Sequence, residues 1–141
     1  MRIVKIVIVL TAFVIFCLAI ALPDPANAAK REFLEKHYQA KHCPIKKQRE
    51  HRLPNGMRVD CMTKIHAIEY DWANKYRQSF TQALEYSMYS NRKAGIVLIL
   101  EKNTDVKYVD RLRRVIRSQC IDIDVWTVGP GMNTKKTLVI Q

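Results

Sequence analysis

The sequence predicts a mixed α/β fold: a helix, three strands, a second helix and a fourth strand, with an added C-terminal helix and strand. Three observations predict it. Residues 57–62 and 66–71 read as two strands flanking a tight turn. Residues 72–90 contain neither Pro nor Gly and repeat apolar side chains at helical spacing. Residues 95–100, Gly-Ile-Val-Leu-Ile-Leu, form the continuous apolar run expected of a central strand buried on both faces.

The first 28 residues stand apart from this pattern. Arg2 and Lys5 make a basic start, residues 6–22 are an apolar run, and Ala26-Asn27-Ala28 is a small-x-small cleavage site. This reads as a secretory signal peptide and implies a periplasmic or secreted protein. The length of the apolar run leaves the alternative of an inner-membrane anchor through an uncleaved signal. Residues 29–141 are then a single domain, large enough to bury one core.

Within that domain, residues 31–41 read as a helix and 50–53 as a short strand, closed by the turn Pro54-Asn55-Gly56. The hairpin that follows decides whether its acids meet. With Lys64 and Ile65 as the tight turn, Asp60 faces Glu69 directly, and Glu69 and Asp71 share a strand face roughly 7 Å apart. Carboxylates so placed repel unless something neutralises them, as a divalent cation bound by oxygen ligands does. A one-residue slip would send them to opposite faces.

On the helix at 72–90, Trp72, Tyr76, Phe80, Ala83, Leu84 and Ser87 form the expected core side. Lys75, Gln82 and Tyr86 align within roughly 40° at its border, and Asp71 points into the same stripe. Residues 91–94 stop the helix ahead of the central strand. A basic helix is expected at 106–119, with Val109, Leu112 and Ile116 inward and Arg111, Arg113, Arg114 and Arg117 around them. A strand at 122–128 completes an αβ addition to the sheet. Gly129-Pro130-Gly131 breaks the chain before residues 137–140, an edge strand or tail. No internal repeat or low-complexity stretch is present.

This order, with Asp60 on the second strand and Glu69 on the third, resembles the restriction-endonuclease-like superfamily, the PD-(D/E)xK phosphodiesterases. Its αβββαβ core carries Asp on the second strand and Glu-x-Lys on the third. The resemblance covers roughly residues 31–100. Gln82-Ala83-Leu84-Glu85-Tyr86 is similar to the Gln and Tyr that follow in the superfamily's exonuclease branch. Where the family has Lys two residues after the Glu, this chain has Asp71, and the nearest cation is Lys75 on the helix. In this superfamily that Lys can migrate to a neighbouring element, and its flexible stem can return the ammonium to the same point.

The resemblance implies an exported nuclease hydrolysing phosphodiester bonds of DNA with Mg²⁺ or Mn²⁺. Asp60 and Glu69, with Asp71 or Glu50, would hold the metal and polarise the phosphate. Lys75 would complete the catalytic set of Asp60, Glu69 and Lys75. Gln82 and Tyr86 would position the strand. Glu50 has a second reading as the partner of a neighbouring arginine, and Tyr86 as an interfacial aromatic. The other class of function is a non-catalytic basic binding module for nucleic acid or envelope polyanions on the same fold.

Charge bears on both. Without Arg2, Lys5 and Asp24, the 24 basic and 13 acidic residues become 22 and 12, a net charge of about +10. Such a surplus suits a polyanion bound through counterion release, or an anionic envelope surface. One basic block is Lys41, Lys46, Lys47, Arg49 and Arg52; the expected 106–119 helix is the other.

Cys43, Cys61 and Cys120 remain in the domain. An oxidising compartment would join one pair and leave an odd thiol. Spacing does not choose the pair, but Cys43 and Cys61 flank the first strand and are favoured. A zinc site from His37, His42 and Cys43 lacks paired Cys-x-x-Cys spacing. His66 lies opposite the Glu69 face and reads as a packed or surface imidazole.

Overall fold

The computed structural model describes residues 31, 33–43 and 45–132. The expected signal peptide at residues 1–28, Glu32 and the 137–140 segment lie outside them. Three α-helices and a five-stranded mixed sheet account for the described chain. In order these are α1 (Glu35–His42), β1 (Arg49–Arg52), β2 (Arg58–Met62), β3 (His66–Trp72), α2 (Tyr76–Ser90), β4 (Lys93–Ile99), α3 (Val106–Ser118) and β5 (Ile123–Val128). The strands lie side by side in sequence order; β1, β2 and β3 are antiparallel neighbours, and β3, β4 and β5 are parallel.

Local chemistry explains the hairpins. Gly56 holds φ +88 in the β1–β2 turn, a conformation that costs glycine little. Lys64 and Ile65 form the β2–β3 turn, closed by the Thr63 N–H to the His66 carbonyl at 2.8 Å. The Thr63 hydroxyl oxygen also accepts the His66 N–H at 2.8 Å. The resulting register pairs Met62 with Ala67 and Cys61 with Ile68, the register expected from that turn.

The core has two sides. Ile68, Tyr70, Trp72, Val97 and Ile99 pack with Tyr38 of α1 on one face. Ile96, Leu98 and Ala94 pack with Ala83 of α2 and with Val109 and Leu112 of α3 on the other. Ile68, Ile96, Leu98 and Ile99 are fully buried; each contributes about 1.5–3 kcal/mol by leaving water. Gly95 is required for close packing, since a Cβ there would stand 2.9 Å from the Trp126 ring and 3.0 Å from Ile68. Cys43 and Cys61 form a disulfide that ties the end of α1 to β2.

The second helix begins later than its periodicity predicts. Trp72 pairs with Ile99 and therefore stays in the ladder. Its ring packs edge-on against Tyr38 at 6.0 Å, on the sheet face opposite α2. A single 3₁₀ turn, Ala73–Lys75, then leads into α2. The buried side of α2 is Tyr76, Ser79, Ala83 and Tyr86, so Tyr86 belongs to the core side rather than its border. The helix ends at Asn91, whose φ of +52 gives the left-handed C-terminal cap that asparagine tolerates. On α3, Val109 and Leu112 are buried, Ile116 packs against them, and all four arginines are exposed. No helix among the described residues is long and apolar enough to cross a membrane.

Candidate active site

The β2–β3 ladder stops at Cys61 and Ile68, and the site begins where it stops. One residue further, the Asp60 Oδ2 atom accepts the main-chain N–H of Tyr70 at 2.8 Å. A side-chain carboxylate replaces a ladder carbonyl, so the two strands part. Val59 and Cys61, two residues apart, accordingly join different apolar clusters, Val59 with Tyr86 and Cys61 with Tyr38. The opening becomes a cleft of about 450 Å³ between the strands, α2 and the start of α1.

Asp60, Glu69 and Asp71 all line this cleft and are all buried, at 8%, 5% and 3% exposure. The Asp60 and Glu69 side chains lie close enough to act on each other's proton affinity. Two carboxylates so placed repel unless a proton or a cation neutralises them. Burial raises the proton affinity of both, and the neighbouring Asp60 charge raises Glu69 further. Glu69 Oε2 is buried without a hydrogen-bond partner.

From α2, Tyr86 and Gln82 line the cleft, Tyr86 next to Glu69 and Gln82 next to Tyr86, and the Gln82 Oε1 atom is buried without a hydrogen-bond partner. The helical spacing of Gln82 and Tyr86, i and i+4, puts both on the side that meets β3. Lys75 reaches Asp71, Nζ to Oδ1 at 3.2 Å, while the same oxygen accepts the Trp72 N–H at 2.8 Å. The Lys75 ammonium therefore stands on the cleft wall beside the third acid.

Glu50 takes a different place. Its carboxylate pairs with Arg58 Nε at 2.7 Å, and it lines a neighbouring pocket rather than the cleft. Arg58 itself lines the cleft. The structure supplies instead an acid from α1: Glu35, whose pKa burial and the charges of Asp60 and Asp71 push up to about 7. Spacing carries no local signal linking it to the hairpin; the pointer in the sequence is the resemblance, since the restriction-endonuclease-like superfamily sometimes draws an acid such as Glu32 or Glu35 from its first helix. His66 is a packed imidazole, bonded through Nε2 to Asp124 at 2.7 Å and edge-on to Trp126, on the far side of β3.

Among the described residues, no group of three or more His, Cys, Asp or Glu side chains is arranged around a common point for an ion. Two acids with free oxygens are nonetheless adjacent. No protein family, curated protein or solved structure matches this chain.

Proposed function

We propose that the protein is an exported, Mg²⁺- or Mn²⁺-dependent nuclease with a restriction-endonuclease-like αβββαβ core, hydrolysing phosphodiester bonds of DNA. The observation that carries this reading is the buried pair of Asp60 and Glu69 lining one cleft at the mouth of an opened hairpin. Burying two acids against each other is costly unless a cation answers their charge.

The donor set fits such an ion. Glu69 Oε2 has no partner, and Asp60 spends only one oxygen on the Tyr70 N–H. Mg²⁺ is commonly held by one or two carboxylates, its remaining positions filled by water and substrate phosphate, so a complete protein cage is not required. When bound, the cation supplies Lewis-acid polarisation of the phosphate and offsets the negative charge of the acids.

The chain's own residues divide the remaining work. Asp60 and Glu69 would hold the cation through their carboxylate oxygens. Tyr86 and Gln82, on the α2 wall of the cleft, would position the nucleic-acid strand. Asp71 holds the Lys75 ammonium on the cleft wall, where it meets the charge that develops on the phosphate during cleavage. The Cys43–Cys61 disulfide suits an oxidising compartment, in line with an exported protein. Retention of the apolar segment at 6–22 would leave the same domain anchored at the inner membrane.

A specific observation favours a second reading, a basic module that binds nucleic acid or envelope polyanions without cutting. Lys75 is bonded to Asp71 instead of the Asp60–Glu69 pair. A plasmid-nicking assay separates the two. Nicking with Mg²⁺ or Mn²⁺, abolished by EDTA and by Asp60→Ala, is the expected result. Plasmid retention without nicking in any metal supports the binding module.

A further inference from the structure

We infer that a second pocket, between α1 and the start of β1, binds a phosphate group of the nucleic-acid strand whose neighbouring phosphodiester enters the cleft. The inference rests on the nucleic-acid reading of the cleft but concerns different residues. The pocket encloses about 340 Å³ and is lined by Lys36, Gln39, Lys46, Arg49 and Glu50. Lys36 and Gln39 stand three residues apart on one face of α1. Lys46 comes from the 3₁₀ turn Lys46–Gln48, and Arg49 opens β1.

Two features make this more than a solvated basic surface. The first is Arg49. It pairs with Cys61 across the ladder, so its side chain projects from the face that carries the disulfide to Cys43. Its Nε atom is buried and has no hydrogen-bond partner. A buried guanidinium N–H without an acceptor is destabilising, and a phosphate oxygen is the acceptor its planar fork fits best.

The second feature is the treatment of the one acid in the lining. Glu50 would repel an anion, but its carboxylate is held at 2.7 Å by Arg58, a residue of the cleft wall. Three cations therefore face the pocket against one acid whose charge is answered from outside it. The Glu50–Arg58 pair is also the partition between pocket and cleft. A strand passing over this partition places one phosphate among Lys36, Lys46 and Arg49 while the next lies beside Asp60 and Glu69. The disulfide ties the end of α1 to Cys61, the β2 residue paired with Arg49, and so holds α1 near the strand that carries Arg49.

Anisotropy of a labelled single-stranded DNA oligonucleotide tests this with the full chain in EDTA, so that no cleavage intervenes. Lys46→Gln, Arg49→Gln and the double variant are compared with wild type and with Arg114→Gln on exposed α3. Lys46 is exposed, so its substitution leaves folding unaffected even if Arg49→Gln does not. The expected result is a several-fold weaker affinity for each variant, with the salt slope reduced by about 0.7 for each phosphate that is no longer neutralised. Inorganic phosphate should displace the oligonucleotide from wild type more readily than from the double variant.

Affinities and slopes equal to wild type, or shifts no larger than that of Arg114→Gln, overturn the proposal. So does phosphate binding to the pocket with oligonucleotide affinity unmoved by both substitutions. The two readings fail separately. A wild type that binds DNA through this pocket without nicking it removes the hydrolysis reading alone; a nicking enzyme indifferent to both substitutions removes the pocket alone.

Discussion

The Asp60 carboxylate accepts the Tyr70 amide N–H at 2.8 Å across the β2–β3 hairpin, and this one bond both parts the strands and commits an acid to the cleft. It makes Asp60 structural as well as chemical. Asp60→Ala leaves a buried N–H without an acceptor, a loss of about 1–3 kcal/mol. Asp60→Asn keeps a carbonyl oxygen for Tyr70 and should lose less. Urea denaturation of the two variants checks the order.

The buried acids set the direction of pH dependence. Burial raises the proton affinities of Asp60 and Glu69, the Asp60 charge raises Glu69 further, and Glu35 rises from 4.5 to about 7. The folded protein thus holds protons that the unfolded chain has released, and stability falls as pH rises from the ordinary carboxyl range through neutrality. Thermal melts without divalent cation should show this decline, and Mg²⁺ should reverse it by taking the place of the proton. Glu69→Gln should flatten the profile and remove the response to Mg²⁺.

Lys75 separates chemistry from binding. Its ammonium is half exposed and pairs with Asp71 beside it. Lys75→Ala should lower the nicking rate by about 10²-fold, the scale of losing one charge-stabilising donor, while oligonucleotide affinity changes little. Steady-state nicking beside anisotropy measures both. An equal loss in the two would make Lys75 a binding residue.

The disulfide closes a loop between residues separated by 18 positions. On chain-entropy grounds its removal should cost about 3 kcal/mol. Reduction, or paired Cys43→Ser and Cys61→Ser substitution, should lower the urea midpoint, whereas Cys120→Ser, at an exposed free thiol, should leave it unchanged.

Gly95→Ala should destabilise by about 1–3 kcal/mol, because the added methyl meets Trp126 and Ile68 across a well-packed sheet. A guanidinium melt resolves a change of that size. Cleavage by the folded fraction should be unaffected, as the added methyl enters the sheet face of Ile68 and Trp126, opposite the side chain of the adjacent Glu69.

Much of this was legible in the sequence where the controlling interactions are local. Thr63-Lys64-Ile65-His66 sets the hairpin turn, and the turn sets the register that brings Asp60 and Glu69 together. The apolar run ahead of Leu100 marks the central strand, and the alternation around Cys61 points its sulfur away from the acids toward Cys43. What was less legible depends on tertiary packing. Trp72 reads as helical by period, yet its pairing with Ile99 and its packing on Tyr38 hold it in β3. Tyr86 reads as a border residue, but the parting of β2 from β3 lets it pack with Val59 and Ala67. Glu35 is remote in sequence from every other acid of the cleft, and only the packing of α1 against β3 brings it there. Glu50 has the right strand and the right charge for a ligand, and the bond to Arg58 turns it to the neighbouring pocket.

Whether Asp60 and Glu69 hold a catalytic cation is tested most directly by a Mn²⁺ titration followed by electron paramagnetic resonance, on wild type and on Glu69→Gln. Wild type should bind Mn²⁺ in competition with Mg²⁺, and the variant should bind it far more weakly. Identical titration curves for the two proteins, or no binding by wild type in the presence of DNA, would contradict a cation site at these two acids.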